Sequence, residues 1–413
     1  MKTCRLQRIV YVNHTGSVSG AEKVLLHMLH GLDRTAYESV VLCPAEGDLL
    51  RMVAAEDVPY VTIPELEARF TWRPDRLLRY LISFLWVMAG LRGEIRRLNP
   101  AFVHANTLRA GIATTIATAG TGRLVIWHVH DILPKHPISS IIRALAYAST
   151  RTRVIAVSHA TAKAFCGQLQ FKDRIRVIHN GTDLSRFPWK QPGTSRLKTE
   201  LGLPDGCFLV CAVGQICARK GLLELLDAFA RIVREAPDMH LAIVGKAVFR
   251  HEEQYRDALL ESAQSAGLGD RVHFSGERQD ITSVLQSADL LVLNSLQEPF
   301  GLVLVEAMSC GTPVLAARVG GIPEIVTDSV NGWLVEKDDV DALGAKLLEL
   351  SRQRDAVERA AQVARDSVCP RFSLEQFLVK LDAFYADLPI RPDTQRNTDV
   401  FLSTHHKKGN QLV

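Results

Sequence analysis

Two kinds of hydrophobic pattern alternate along the chain. Short apolar runs bounded by polar residues or glycine predict buried strands, as in RIVYVN at 8–13, LVIWHV at 124–129 and ADLLVLNS at 288–295. Segments with apolar residues at helical spacing follow such runs, as at 21–30 and 222–235. This alternation predicts an α/β fold whose parallel sheets are covered by helices on both faces.

The alternation occurs in two successive series, which predicts two Rossmann-like, doubly wound domains. The first series has further strands predicted at 39–43, 101–104, 154–158 and 175–179. The second begins with CFLVCAVG and continues through HLAIVG, RVHFSG, TPVLAAR and NGWLV. The predicted organisation is a first domain over 1–187, a linker rich in turn formers over 188–204, a second domain over 205–370, a C-terminal helix over 371–388 placed to pack back on the first domain, and a flexible tail over 389–413.

Composition and charge narrow the class of protein. Of the 413 residues, 47% are hydrophobic and 23% are charged, as is typical of a folded globular protein and not of a disordered one. The net charge of +4 hides an asymmetry, because residues 1–187 carry 24 Lys and Arg against 14 Asp and Glu, whereas the remainder carries 25 against 31. The first half is therefore expected to attract anionic partners, such as a charged lipid surface, a lipid phosphate or nucleic acid.

The cysteines and the N-terminus both indicate a reducing compartment. The eight cysteines show no paired C-x-x-C spacing, so we expect reduced, buried thiols and not a zinc site or a disulfide framework. The apolar run before Asn13 is only four residues long, which is too short for the apolar core of a signal peptide. The sequence therefore predicts no export signal and a cytoplasmic location.

The longest apolar run, YLISFLWVMAGL at 80–91, is flanked by arginines on both sides. It is shorter than the ~20 residues that a membrane-spanning helix needs. Two interpretations remain open. One is a helix buried in the core, and the other is a helix that lies in a membrane interface, with Phe84 and Trp86 inserted and the arginines on lipid phosphates.

The stretch NSLQEPFGLVLVEAMSCG at 294–311 carries the most specific chemistry. It follows a predicted strand and passes through a loop into a helix, so that Glu298 lies in the loop and Glu306 about one turn inside the helix. The backbone N–H groups of Phe300, Gly301 and Leu302 at the helix start suit an anion, and the two carboxylates accept hydrogen bonds from hydroxyls. A ligand that carries both phosphates and sugars would use all of these groups.

Other loops at strand ends strengthen this interpretation. GQICARKG at 214–221 places Arg219 and Lys220 beside a helix start, where a cation suits a diphosphate. GGIPE at 320–324 is predicted as a further glycine-rich helix start. The loop GSVSGAE at 16–22 leads into the first helix of the chain, and WHVHD at 127–131 places His128 and His130 on the same side of a strand end, with Asp131 beside them. A histidine at that position suits acid/base chemistry or polarisation of a substrate.

Taken together, and in the order in which they occur along the chain, these motifs, with VSHATA, IHNGTD, FSGERQDI, GGIPEIV and NGWLV, resemble the GT-B retaining glycosyltransferases of glycosyltransferase family 4. The resemblance covers residues from about Val10 to Val335. It implies two Rossmann-like domains facing across a cleft, with the acceptor held by the first domain and a nucleotide-diphosphate sugar by the second. It also implies transfer with retention of anomeric configuration and without a metal or other cofactor.

The resemblance implies a role for each matching residue. His130 matches the active-site histidine, and Glu298 the residue that contacts hydroxyls of the transferred sugar. The residues implied to bind the donor are Glu306 at the ribose, Lys220 and Arg219 at the diphosphate, Phe300, Gly301 and Leu302 through their amides, Gly16 under the phosphates, and Arg278 near the nucleobase. The family often has arginine where this chain has Gln215, and a neutral amide does not replace that charge, so diphosphate binding is expected to rest on Lys220.

The expected partners are a nucleotide-sugar donor and a glycan or lipid-linked acceptor, with peripheral contact to an anionic membrane and no nucleic acid. Attack by the acceptor hydroxyl from the face of the leaving phosphate is favoured, because no second carboxylate is placed as a nucleophile. Two alternatives stay open. One is a nucleotide-sugar epimerase or hydrolase on the same fold, and the other is an inactive, membrane-associated assembly partner, for which Gln215 and the run at 80–91 are the main support.

Overall fold

The computed structural model describes residues 6–65, 74–191, 193, 195–204 and 206–390, and over residues 74–85, 172 and 251 it describes the backbone alone. Almost all of the predicted tail at 389–413 lies outside the described residues. The described chain forms two α/β units, each built on its own parallel sheet.

The first sheet has seven parallel strands in the order β3-β2-β1-β4-β5-β6-β7. The strands are β1 (Gln7–Val12), β2 (Tyr37–Cys43), β3 (Tyr60–Thr62), β4 (Phe102–Ala105), β5 (Leu124–Val129), β6 (Thr152–Ala156) and β7 (Ile175–Val177). Every residue of β4 and β5 is buried, which explains why these strands appear in the sequence as unbroken apolar runs. The edge strand β3 is only three residues long and was not predicted from the sequence.

Six α-helices precede the crossing to the second unit in the part of the chain that the structure describes. They are α1 (Gly20–Gly31), α2 (Asp48–Ala55), α3 (Pro74–Leu98), α4 (Leu108–Ala117), α5 (Pro137–Ala148) and α6 (His159–Cys166). Helix α1 contributes to the apolar cluster on one face of the sheet, whereas α3 and α4 contribute to a cluster on the other face. The sheet is therefore covered on both sides, as the alternating pattern predicts.

The second sheet has six parallel strands in the order β10-β9-β8-β11-β12-β13. The strands are β8 (Phe208–Val213), β9 (Met239–Val244), β10 (Val272–Gly276), β11 (Leu290–Leu293), β12 (Val314–Ala317) and β13 (Trp333–Val335). Its helices are α7 (Arg196–Glu200), α8 (Leu222–Ile232), α9 (Arg250–Ser265), α10 (Ile281–Ser287), α11 (Leu302–Cys310), α12 (Val340–Arg352) and α13 (Arg354–Phe372). The expectation of two doubly wound α/β domains is confirmed.

The chain crosses between the two units twice. After α13, helix α14 (Leu374–Ala386) returns to the first unit, where Phe377, Leu381 and Tyr385 join the apolar cluster that covers β1 and β4. The two crossing segments are hydrogen-bonded side by side, because Thr182 donates to the carbonyl of Phe372 at 3.1 Å and accepts from Leu374 N at 2.8 Å. The first domain is thus completed by the last helix of the described chain.

Each sheet reverses its strand order at one point. In the first sheet the reversal lies between β1 and β4, and in the second it lies between β8 and β11. Open parallel sheets bind ligands in the crevice outside the carboxyl ends of the strands at such a switch point. The two switch points therefore direct attention to four loops, which follow β1, β4, β8 and β11.

The apolar run at 80–91 lies within α3. Met88 and Leu91 are buried in the apolar cluster of the first sheet, whereas Trp86 is 76% exposed. The side chains of residues 80–85, including Phe84, lie outside the described residues. No helix in the described part of the chain is both long and apolar enough to cross a membrane.

Candidate functional site

The loops after β8 and β11 hold each other at the switch point of the second sheet. Leu296 N donates to the carbonyl of Arg219 at 2.9 Å, and the Asn294 side chain donates to the carbonyl of Gly221 at 2.9 Å. The GQICARKG loop and the start of the NSLQEPFG loop are therefore one structural unit. Lys220 and Glu298 are brought together by this contact, although 78 residues separate them in the sequence.

Lys220 and Glu298 form a close, largely buried ion pair. Lys220 Nζ donates to Glu298 Oε2 at 2.7 Å, and only 15% and 9% of the two side chains are exposed. The Ser295 hydroxyl donates to the same carboxylate oxygen at 3.0 Å. Burial by itself would raise the pKa of the Glu298 carboxyl, but the Lys220 ammonium, helped by Arg219, lowers that pKa below its ordinary value. Glu298 is therefore a carboxylate whose charge Lys220 balances.

The start of α11 offers unpaired backbone donors beside this pair. Within the described residues, the N–H groups of Phe300, Gly301 and Leu302 donate to no protein acceptor. Gly301 has a φ of +104°, a conformation that side chains disfavour, and this lets the chain turn sharply into the helix. Three free amides next to an ammonium suit an anion such as a diphosphate.

Glu306 lies on the second turn of α11. Burial raises the pKa of its carboxyl, and the opposing charges of Lys23 and Arg186 do not fully compensate. Lys23 belongs to α1 of the first domain, so Glu306 lies where the two domains approach each other. No hydrogen bond to its carboxylate is recorded among the described residues, and this leaves the group available as an acceptor.

The GGIPE loop supports Glu298 from behind. Gly320 has a φ of +53°, and a Cβ there would lie 1.9 Å from the carbonyl oxygen of Glu298. Gly321 N donates to the same oxygen at 2.9 Å. The prediction that a helix starts here is wrong, because the segment Ile322–Glu324 makes only one turn of 3₁₀-helix. Its glycines allow the segment to pack closely against the Glu298 backbone, because a side chain there would collide.

Gln215 and Arg278 are already paired with acidic side chains. The Gln215 amide nitrogen donates to both carboxylate oxygens of Glu252, at 2.7 and 2.8 Å. Arg278 binds Asp280 with two nitrogens, at 2.9 and 2.7 Å, and Glu200 with a third contact at 2.7 Å. Their roles at the diphosphate and the nucleobase stay predictions.

Four neutral polar side chains meet at the switch point of the first sheet. Thr107 Oγ1 and His14 Nδ1 lie 2.9 Å apart, and Asn106 donates to Asn13 Oδ1 at 3.1 Å. Burial, followed by the nearby Arg109, lowers the pKa of His14 to about 4, so this imidazole is neutral near neutral pH. The sequence motifs predict no role for these four polar residues, although each of them follows one of the two strands between which the strand order reverses.

The glycine loop after β1 is fixed in place at Gly16. A Cβ on Gly16 would lie 1.6 Å from the carbonyl oxygen of Glu46, so only glycine fits there. The buried Glu22 carboxylate accepts from Ser19 N at 2.9 Å and from the Asn13 side chain at 3.1 Å, which ties the loop to both α1 and the end of β1. The predicted phosphate contact at Gly16 stays a prediction.

The WHVHD motif lies at the end of β5. The rings of His128 and His130 pack with centroids 4.1 Å apart, and burial lowers the pKa of His130 to about 3. The Nε2 atoms of both rings are buried and have no hydrogen-bond partner in the described part of the chain. Asp131 faces the other domain, where Arg219 is near enough to oppose the rise in the pKa of its carboxyl that burial causes. His130 and Asp131 are thus brought to the edge that faces Lys220 and Glu298.

One group in the described residues has the composition of a metal site. The side chains of His159, His179 and Glu324 offer ligand atoms within 4.8 Å of one another. The Glu324 carboxylate, however, already accepts from His159 N at 2.9 Å, from Ala160 N at 3.0 Å and from the His179 ring at 2.8 Å. These bonds join the GGIPE turn to the start of α6, so the cluster has a complete role in joining the domains. The expectation that no metal is needed stays a prediction.

Comparison with known families agrees with this geometry. Residues 18–186 match the family model described as Glycosyltransferase Family 4, and residues 194–367 match that described as Glycosyl transferases group 1. The two matches cover most of both domains, and they include the loops after β4, β5, β8, β11 and β12. The chain belongs to glycosyltransferase family 4.

The curated relatives include a glucosaminyl malate synthase and an inositol phosphate glycosyltransferase. The chain is 29% identical over 235 residues to the N-acetyl-alpha-D-glucosaminyl L-malate synthase of Bacillus anthracis, covering 57% of this chain and 59% of that protein. It is 32% identical over 235 residues to the D-inositol 3-phosphate glycosyltransferase of Corynebacterium urealyticum, covering 54% and 53%. The chain thus matches just over half the length of these relatives.

Solved structures of GT-B enzymes match over nearly the whole chain. Anabaena HepE in complex with UDP-glucose is similar with a TM-score of 0.80 and 26% identity, over 92% of this chain and 100% of that one. HepE with UDP and glucose has a TM-score of 0.81. The sucrose-phosphate synthase of Thermosynechococcus elongatus, at 20% identity and a TM-score of 0.75, shares the fold. The GT-B architecture that the motifs imply is confirmed.

Proposed function

We propose that this chain transfers a sugar from a UDP-sugar to a hydroxyl of a glycan or lipid-linked acceptor, with retention of anomeric configuration and without a metal. The role is in the synthesis of a cell-surface polysaccharide or glycoconjugate. The observation that carries the proposal is the Lys220–Glu298 pair beside the three free amides at the start of α11, at the switch point of the second sheet. The complexes of HepE with UDP and UDP-glucose support uridine as the donor nucleoside.

The donor-side residues divide the work by charge. Lys220 and the amides of Phe300, Gly301 and Leu302 bind the diphosphate, since they are a cation and unpaired donors. Glu298 accepts hydrogen bonds from the transferred sugar, and Glu306 from the ribose. Arg219 and Gly16 complete the surroundings of the phosphates, Gln215 lies at their edge, and Arg278 lies beside the base.

The reaction forms one bond and breaks one. The acceptor oxygen attacks the anomeric carbon from the face that the diphosphate leaves, the bond between that carbon and the phosphate oxygen breaks, and the acceptor proton passes to the leaving diphosphate. Charge develops on the leaving group, and the Lys220 ammonium with the α11 amides is placed to stabilise it. His130 lies on the opposite side of the cleft, where it orients the sugar or the acceptor.

The acceptor side has exposed apolar side chains that suit a lipid-linked substrate at an anionic membrane surface. Helices α3, α4 and α5 lie side by side, and Trp86 on α3 and Ile138 and Ile141 on α5 are 76%, 56% and 68% exposed. The excess of basic residues in the first half adds attraction to lipid phosphates. Co-sedimentation with anionic vesicles tests this contact, and equal recovery of the wild type and the Trp86→Ala/Ile141→Ala variant would contradict it.

A thermal-shift comparison of UDP-, GDP- and ADP-glucose tests donor binding. A ligand that binds only the folded state raises the unfolding temperature, so UDP-glucose is expected to give the largest shift. Lys220→Ala should abolish most of the shift, whereas Lys346→Ala, on the remote helix α12, should preserve it. An absence of any shift with all three sugars would overturn the donor assignment.

Product analysis then separates transfer from other reactions of a nucleotide-sugar. With radiolabelled UDP-glucose and a glycan or polyprenyl-phosphate acceptor, the label should move to the acceptor, and its release should depend on the acceptor. Release or isomerisation of the sugar at the same rate without acceptor would favour a hydrolase or an epimerase over a transferase.

A further inference from the structure

A continuous row of buried aromatic residues runs from the C-terminal helix to His130. Tyr11, His104 and Ile126 are opposite one another in the register of β1, β4 and β5, so their side chains share one face of the sheet. His128 and His130 follow Ile126 at intervals of two residues and continue the row on that face towards the cleft. Tyr385 on α14 covers the row from above.

The members of this row contact each other at hydrogen-bonding distance. Tyr385 OH lies 2.7 Å from His104 Nδ1, and His104 Nε2 lies 3.2 Å from His128 Nδ1. The His128 ring packs on the His130 ring, and Tyr11 OH lies 3.4 Å from Tyr385 OH. Tyr11, His104, His128 and Tyr385 are completely buried, so bulk solvent does not reach these contacts.

The histidines in the row are neutral. Burial lowers the pKa of His104 to about 3 and that of His128 well below its ordinary value. Each neutral ring has one nitrogen that donates and one that accepts, so the protons of the row take one of two opposite arrangements. Either Tyr385 donates to His104 and His104 to His128, or the direction is reversed.

The distances favour the first arrangement. In the reverse direction Tyr385 would have to donate to Tyr11 OH, and 3.4 Å is long for a hydrogen bond between two hydroxyls. In the first direction Tyr385 donates across the short 2.7 Å contact, and the His128 proton then resides on Nε2. That nitrogen is one of the two buried imidazole atoms without a partner next to His130.

We propose that Tyr385 is a positioning residue for sugar transfer, because it fixes, through His104, the proton arrangement and the orientation of His128 against His130. The inference rests on the proposed function of His130. Helix α14 therefore does more than cover the first sheet, because it also carries the hydroxyl that fixes the proton arrangement of the row. Without that hydroxyl, His104 Nδ1 is left unpaired and His128 is free to hold its proton on either nitrogen.

Tyr385→Phe tests the proposal against a matched control. Tyr37 is also a buried tyrosine under α14, and its hydroxyl donates to Asp382 of that helix at 2.6 Å. Tyr37→Phe therefore removes a hydrogen bond to the same helix and leaves the row intact. We expect Tyr385→Phe to lower kcat about tenfold, with KM for UDP-glucose within about twofold, and Tyr37→Phe to lower kcat by less than about twofold. Equal losses of kcat in the two variants would overturn the proposal.

A spectroscopic measurement separates this inference from the function on which it rests. With ¹⁵N-labelled histidine, and with His128 assigned from the spectrum of His128→Gln, the nitrogen shifts report which ring atom carries the proton. The wild type should show the Nε2–H form of His128, and Tyr385→Phe should shift it towards a mixture. An unchanged His128 tautomer would overturn the inference even if transfer is observed. The tautomer change in a protein without transfer activity would instead refute the proposed function alone.

Discussion

The side chains at the two switch points of this molecule differ in charge. At the second sheet, Lys220 and Glu298 are a charged pair, and the adjacent amides of α11 are unpaired. At the first sheet, His14 and His130 are neutral, because burial lowers their pKa values, and His14 bonds within the protein. The edge proposed to receive the diphosphate therefore carries a charged pair and unpaired amides, whereas the histidines at the edge proposed to face the acceptor are neutral.

The difference follows from where charge moves in the proposed reaction. Negative charge grows on the leaving diphosphate, and a fixed cation with oriented amides stabilises it without reorganisation. The acceptor hydroxyl is neutral, and a charged histidine beside it would attract the diphosphate to the wrong side of the cleft. The domains that carry the two edges are joined by Glu324, which accepts from the start of α6 and from His179. These hydrogen bonds link the two domains directly.

The largest expected effect comes from removing the charge at the donor edge. Lys220→Ala and Glu298→Ala should each lower kcat/KM for transfer by about 10²- to 10³-fold, the range typical of losing a preorganised electrostatic contact. Lys220→Ala also leaves Glu298 buried without its counter-charge, so its unfolding temperature should fall. Steady-state transfer assays and thermal unfolding measure the two effects.

Lys346→Ala is the control, because Lys346 pairs with Glu349 within α12, away from both switch points. It should change neither quantity beyond experimental error. Transfer by Lys220→Ala and Glu298→Ala at the wild-type rate would show that the charged edge is not the donor site.

Acid should destabilise the first domain, because its buried histidines are neutral in the folded protein. His104 has a pKa of about 3 in the folded protein, below the ordinary 6.5, so the unfolded chain binds more protons between these values. Its contribution to stability is complete above the ordinary pKa and is lost as the pH falls. Between about pH 6.5 and pH 4.5 we expect His104 alone to cost about 2 kcal/mol of unfolding free energy. Urea unfolding at a series of pH values measures this slope.

His104→Gln is the comparison variant, since glutamine donates and accepts hydrogen bonds but does not titrate. It should be less stable than the wild type near neutral pH and should show a shallower loss on acidification. The same slope in both proteins would mean that the buried row does not control the acid sensitivity of this domain.

Much of the fold was predictable from the sequence, for a physical reason. Strands buried on both faces produce unbroken apolar runs, and β5 was predicted with the bounds Leu124–Val129 that the structure shows. Strand β3 was not predicted, because an edge strand of three partly exposed residues has no apolar run. The GGIPE segment was wrongly predicted to start a helix, since its glycines are there to pack against Glu298, which sequence periodicity does not reveal.

The candidate residues could be named from the sequence, but the contacts between residues on different loops could not. The amides at 300–302 and the carboxylate of Glu298 lie in one short stretch, whereas the contact between Lys220 and Glu298 depends on two strands becoming neighbours. The row from Tyr385 to His128 could not be predicted from the sequence either. Its members lie on three strands and a helix that are far apart in the chain. That Gln215 binds Glu252 was likewise decided by the fold.

The smallest expected effect distinguishes the two partners of Lys220. Lys220 donates to Glu298, so a diphosphate that binds Lys220 would have to compete with that carboxylate for the ammonium. Glu298→Gln keeps the size of the side chain but removes its charge. We expect UDP to bind this variant about three- to tenfold more tightly, which corresponds to roughly 1 kcal/mol for the lost competition. UDP-glucose should not share this gain, because a neutral amide is a weaker acceptor for sugar hydroxyls than a carboxylate.

Isothermal titration of both ligands measures the difference. Glu306→Gln is the control, and it is expected to weaken the binding of both ligands because it loses the carboxylate that contacts the ribose. Weaker binding of UDP to Glu298→Gln would mean that the carboxylate holds Lys220 in place for the diphosphate, and the charged edge would then be a fixed scaffold instead of a pair that the donor separates.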